Sequence, residues 1–126
     1  MTAGVFTELF KENPKDFYVY DCRPDDDFVS KTLRVHAQNW ANLGGASKSQ
    51  VFDTIYDDRL DVLIDLDGLT AFNHLDVVCS RPAPVTAKWV GGLAGSTYAP
   101  DIDYLIGDKV HCPEAYHHLY TERLVL

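Results

Sequence analysis

Asp65 and Asp67 stand at i and i+2 directly after the apolar run Val62–Leu66, and Gly68, Leu69 and Thr70 follow. Two carboxylates at that spacing beyond a buried strand suit a hard divalent cation, and one of them could attack phosphorus. The competing reading is local. Asp side chains at a strand end accept backbone N–H bonds and shape a turn, and that role is expected for Asp67 at least. Further along, Gly91 and Gly92 open a glycine-rich loop after Trp89. Without a Cβ, its backbone N–H groups can come close to a ligand oxygen. Ligands of open α/β sheets bind beyond the carboxyl ends of the strands, so both segments lie where chemistry is expected. His111, Cys112, His117 and His118 are metal-compatible types, but their spacing fits no standard zinc pattern and no metal site is expected.

These segments need a frame. Val5, Phe6, Leu9 and Phe10 have helical spacing over Thr2–Lys11, and Asn13-Pro14 ends that helix. Phe17–Cys22 is rich in β-formers and reads as a strand. Asp25-Asp-Asp27 opens a helix running from Pro24 to about Asn39, its acids favoured at the positive helix start. Trp40–Leu43 reads as a short strand, and Ser47 as the N-cap of a helix to about Tyr56. Val62–Leu66 has the pattern of a strand covered on both faces. A short helix, a strand at Val85–Val90, a strand at Tyr104–Ile106 and an apolar end at Arg123–Leu126 complete the alternation. Arg81-Pro-Ala-Pro84 is a rigid lead into its strand, with Arg81 a candidate to pair with an Asp. Trp89 reads as a core residue. The alternation predicts an α/β fold, a Rossmann-like three-layer domain with a mainly parallel sheet, over residues 1–126.

The 126 residues, 46% hydrophobic, suffice for one core and one domain. A net charge of −8 argues against nucleic acid and against an anionic membrane surface. No apolar run reaches the length of a bilayer span. Cys22, Cys79 and Cys112 are scattered and odd in number, which points to reduced thiols and a cytoplasmic location, with Cys22 and Cys79 expected to be buried.

Taken alone, Leu63-Ile-Asp65-Leu-Asp67-Gly68 resembles the first motif of the haloacid-dehalogenase phosphatases. That resemblance implies Asp65 as nucleophile and Asp67 as acid/base. Only a short stretch follows the motif, however, and Leu69 stands where that family prefers Thr. The wider pattern resembles glycosyltransferase family 41, the O-linked N-acetylglucosamine transferase and SPINDLY-like group. The matching stretches are Asp61-Val-Leu-Ile-Asp-Leu-Asp-Gly-Leu-Thr70, Arg81-Pro-Ala-Pro84, Trp89-Val-Gly91, Ile102-Asp-Tyr104 and Tyr120-Thr-Glu-Arg-Leu124, in the family's order.

This second resemblance implies the amino-terminal lobe of a two-lobed GT-B catalytic region. The second lobe, the family's histidine motif and any helical repeats would lie outside the chain, which is expected to be a fragment of a larger protein and inactive alone. The implied function is part of a protein O-glycosyltransferase using a UDP-GlcNAc-type nucleotide sugar and Ser or Thr acceptors. The implied donor-sugar contacts are Leu69, Thr70, Val90, Gly91, Gly92 and Leu93; no catalytic residue, metal or cofactor is assigned to the chain. Gly92-Leu-Ala-Gly-Ser-Thr97 departs from the family's Y-P-G-T-T-G pattern. A non-catalytic interaction module derived from the family therefore stands as the alternative.

Overall fold

The computed structural model describes residues 2–25, 27–71, 73–89 and 95–126. It is an α/β architecture in which every strand pair is parallel, and it divides into two compact units, residues 1–46 and 47–126.

In the first unit, helix α1 (Thr2–Glu12) closes with a bond from the Asn13 N–H to the Leu9 carbonyl, and Pro14 follows. Its Phe10 is buried and packs on Phe6 and Phe17, with ring centroids 6.1 and 5.6 Å apart. Strands β1 (Tyr18–Asp21) and β2 (Asn39–Asn42) pair in parallel, and the Asn39 side chain fixes the approach to β1 by donating to the Lys15 and Phe17 carbonyls. The connecting helix α2 (Phe28–Arg34) is much shorter than the acidic start suggested. Asp27 caps it, accepting the Ser30 N–H at 2.8 Å, and the His36 and Ala37 amides both turn back to the Leu33 carbonyl at its end. Arg34 lies over the Trp40 ring, 5.1 Å from its centroid. After β2, Gly44 meets the chain at Arg23, whose carbonyl oxygen occupies the space a Cβ would need, so no larger residue fits there.

The second unit begins with helix α3 (Lys48–Asp57). Ser47 and Gln50 form a reciprocal capping box, with bonds of 2.8 and 3.2 Å, and Val51 and Ile55 face inward. Strands β3 (Val62–Asp65), β4 (Val85–Trp89), β5 (Tyr104–Ile106) and β6 (Arg123–Val125) form one parallel sheet in that order. Helix α4 (Leu75–Cys79) packs on β3 and α3, and a 3-10 turn at Glu114–Leu119 precedes β6. The core joins Val51, Ile55, Leu63, Val77, Val78, Ala87, Ile102 and the fully enclosed Leu105.

Two expectations are corrected. β3 is not covered on both faces: Leu63 and Asp65 are buried, whereas Val62 and Ile64 are 47% and 36% exposed. As an edge strand of its sheet with α4 against one side, it alternates instead. Among the thiols, all free, Cys112 is the enclosed one, while Cys22 and Cys79 are half-buried. Cys112 sits in a loop turned inward by its own N–H bonding Asp108, a placement that apolar neighbours in sequence do not reveal. Among the described residues no helix is long and apolar enough to cross a membrane.

Candidate functional site

Because β3 to β6 are all parallel, their carboxyl ends share one edge of the sheet. Asp65 ends β3 and is only 7% exposed. Its carboxylate accepts the N–H of Asp67 at 3.2 Å and the N–H of Gly68 at 2.8 Å. Gly68 is buried at φ +57°, the left-handed conformation that glycine takes without strain. Asp65 is therefore a turn-forming side chain. Asp67 is exposed and serves the turn through its carbonyl, which accepts the Thr70 N–H at 3.2 Å and the Thr70 hydroxyl at 3.0 Å. Leu69 and Thr70 are left exposed just beyond the strand end. With both carboxylate oxygens of Asp65 engaged by backbone donors, turn geometry accounts for this residue without phosphoryl chemistry.

Lys88 is the register partner of Asp65 on β4, is 2% exposed, and donates from Nζ to the Gly95 carbonyl at 3.0 Å. Of the glycine-loop positions, Val90, Gly91, Gly92 and Leu93 lie outside the described residues. The residues that receive the chain after it are well tied. Glu122, 5% exposed, accepts the Thr97 N–H at 2.7 Å, the Thr97 hydroxyl at 2.5 Å and the Ser96 hydroxyl at 2.7 Å. Burial alone would raise the Glu122 carboxyl, but these donors outweigh it and hold it below the ordinary Glu range.

At the opposite edge, Arg81 takes a left-handed backbone (φ +55°) and its guanidinium grips the Asp103 carboxylate at 3.0 and 3.2 Å, together with the carbonyls of Pro84 and Asp101. Asp103 also accepts the Thr86 N–H at 2.9 Å. Arg81 and then Thr86 hold the Asp103 carboxyl below the usual Asp range. The Arg-Pro-Ala-Pro and Ile-Asp-Tyr segments thus form one bracket joining the amino ends of β4 and β5, and Arg81 does pair with an Asp. Trp89 is half-buried. His111 pairs with Asp108 at 2.6 Å, and the His117 ring meets the Cys112 carbonyl at 2.9 Å. Among the described residues no cluster of His, Cys, Asp and Glu side chains has metal-binding geometry. An open groove of about 400 Å³ between α3 and α4, crossed by the Lys48–Asp76 ion pair, contains none of the strand-end residues.

The residues that reasoning from sequence missed are Lys88 and Glu122. Glu122 fell within a quoted motif without a role, and the only local signal for either is a charge placed beside strand-forming residues.

The profile of glycosyl transferase family 41 matches residues 6–126, nearly the entire chain. The chain belongs to glycosyl transferase family 41. Among curated relatives, the family 41 chain is 36% identical over 86 residues to a probable UDP-N-acetylglucosamine–peptide N-acetylglucosaminyltransferase SPINDLY of Petunia hybrida. That match covers 68% of the chain and 9% of the petunia protein. It is 28% identical over 127 positions to the probable transferase SEC of Arabidopsis thaliana, covering 99% of the chain and 13% of that protein. A mutant of the O-GlcNAc transferase of Thermobaculum terrenum has the same fold over 99% of the chain, with a TM-score of 0.85 at 28% identity. The family 41 chain thus spans 9% to 13% of these curated relatives and 25% of the solved one.

Proposed function

We propose that residues 1–126 belong to one Rossmann-like lobe of a two-lobed, cytoplasmic protein O-glycosyltransferase and supply part of its donor-sugar site. The reaction joins a Ser or Thr hydroxyl oxygen of an acceptor protein to the anomeric carbon of a UDP-GlcNAc-type donor. The bond from that carbon to the diphosphate oxygen breaks, the hydroxyl proton is lost, and UDP departs. A second lobe would hold the departing diphosphate electrostatically, so this lobe is inactive by itself. The observation that carries the reading is the match to the family profile over residues 6–126, together with the family segment around Asp65 lying at the carboxyl edge of a parallel sheet. There the Asp65–Gly68 turn leaves Leu69 and Thr70 exposed, and the next strand ends at the same edge with Trp89, the residue before Val90, Gly91, Gly92 and Leu93 in the sequence. The three free thiols suit a reducing compartment.

A backbone-amide NMR titration with UDP-GlcNAc tests this reading in a protein that includes the second lobe. The expected result is movement of the Thr70, Gly91 and Gly92 signals. Silence at all three would overturn it in favour of a non-catalytic interaction module, a role consistent with the altered Gly92–Thr97 segment.

A further inference from the structure

The segment that follows β3 is pinned on both sides of Leu69 and Thr70. Ahead of them, the buried Asp65 carboxylate holds the N–H groups of Asp67 and Gly68. Behind them, the Asn73 side chain donates from Nδ2 to the Thr70 carbonyl at 2.7 Å. The same side chain accepts the Leu75 N–H at 3.2 Å, which ties the segment to the start of α4. The polar groups of Thr70 can then be counted one by one. Its N–H and its hydroxyl both donate to the Asp67 carbonyl, at 3.2 and 3.0 Å. Its carbonyl accepts the Asn73 N–H at 3.3 Å in addition to the Nδ2 bond. Both donors and both carbonyl lone pairs are thereby engaged inside the turn. What the exposed Thr70 offers outward is the acceptor side of Oγ1.

An acceptor in acidic surroundings is selective. Asp65 and Asp67 are the acidic groups of this strand end, and Lys88, the register partner of Asp65, is enclosed with its Nζ on the Gly95 carbonyl. Phosphate oxygens would bring only further acceptors and negative charge. A sugar brings O–H groups, and an N-acetylated sugar an amide N–H as well. We propose that Thr70 Oγ1 accepts a hydrogen bond from an O–H or N–H group of the donor sugar, and that Asp65 and Asn73 are positioning residues that hold it in that state. This inference rests on the donor-site reading given above and deepens it: the turn reads the sugar of the donor and not its diphosphate.

The test is calorimetric binding to the native polypeptide that carries this chain. The probes are UDP-GlcNAc, UDP, and UDP-GlcNAc analogues that each lack one hydroxyl or carry an ester in place of the amide. Thr70→Val should weaken UDP-GlcNAc roughly five-fold, the effect of one neutral hydrogen bond, and leave UDP at the wild-type value. One analogue should lose the same factor in the wild type and nothing further in Thr70→Val, because the two changes remove the same bond. Thr70→Ser, which keeps the hydroxyl, should bind as the wild type does. Asn73→Asp keeps the bond to the Leu75 N–H but cannot donate to the Thr70 carbonyl, so it should weaken UDP-GlcNAc and not UDP. Asp65→Asn should act in the same direction, and if it does not fold, Asn73→Asp carries that arm. Unchanged UDP-GlcNAc affinity in a folded Thr70→Val overturns the proposal. Equal weakening of UDP and UDP-GlcNAc, or full additivity with every analogue, overturns it too. Wild-type affinity in Asn73→Asp removes the positioning role. A wild-type protein that binds no UDP-GlcNAc takes down the donor-site reading itself, and this inference with it.

Discussion

Asp21 and Asp65 are the same residue type at the same kind of place, the last position of a parallel strand, 8% and 7% exposed. They are satisfied differently. At the end of β1, Asp21 accepts the Arg23 N–H at 3.3 Å and the Arg23 Nε at 3.4 Å. The same guanidinium continues to Asp27 at 2.6 Å and to Ser30. A side chain therefore fills the space beyond β1. At the end of β3, the donors are backbone amides delivered by the left-handed Gly68, and Leu69 and Thr70 remain exposed. A strand end closed by an arginine is spent on the fold. One closed by its own backbone leaves neighbouring side chains exposed.

Removing the acceptor at β3 should have the largest effect. Asp65→Ala strands the buried Gly68 N–H and should cost about 2–3 kcal/mol. Urea unfolding followed through Trp89 fluorescence, with faster exchange at Gly68, checks this; wild-type stability would mean that the turn is held by something else. Gly68→Ala keeps the acceptor but forces a Cβ into the left-handed region, costing roughly 1–2 kcal/mol by the same assay. Arg23→Met at the other strand end should cost only about 1 kcal/mol, since the pair is partly solvated and Asp21 keeps the Arg23 N–H. If Arg23→Met proved as damaging as Asp65→Ala, the distinction between the two ends would collapse.

Acid gives the finest comparison. Asp27 is held below the ordinary Asp range, first by the Ser30 N–H and then by Arg23, and Glu122 is held below the Glu range by Thr97 and Ser96 against its burial. A depressed folded pKa stabilises the native state above the unfolded value, about 3.9 for Asp and 4.3 for Glu. That stability is lost as pH falls through the folded pKa. Both units should therefore weaken below about pH 4–5. Glu122→Gln should flatten the acid limb for residues 47–126 and leave that of residues 1–46 unchanged, as resolved by amide exchange at several pH values.

Much of the frame is legible in the residue order. Ser47 announces the start of α3, Asn13-Pro14 the end of α1, and Tyr104–Ile106 is a strand as its pattern predicts. The long helix expected after Pro24 shrinks to Phe28–Arg34 because Asp27 caps it immediately before Phe28, and Asn39 onward is drawn into pairing with β1. Asp65 shares the turn role expected for Asp67: the pleat turns Asp65 inward with Leu63, and Asp67, past the end of β3, lies exposed in the turn itself. Four of the candidate donor contacts fall outside the described residues, whereas Leu69 and Thr70 stand exposed at the predicted edge.

The sequence by itself determined the α/β alternation, the Ser47 helix cap, the parallel character of the sheet and the family. Periodicity, capping and motif spacing act over a few residues and can be read along the chain. Tertiary structure alone decided that Arg81 takes Asp103, that β3 shows one face to solvent, and that Lys88 and Glu122 are enclosed around Gly95–Thr97. The bonds of Arg81 to Asp103 and of Glu122 to Ser96 and Thr97 join residues 22 to 26 positions apart. Burial and long-range pairing exist only once parallel strands and their crossovers have brought distant segments together, so no local pattern encodes them.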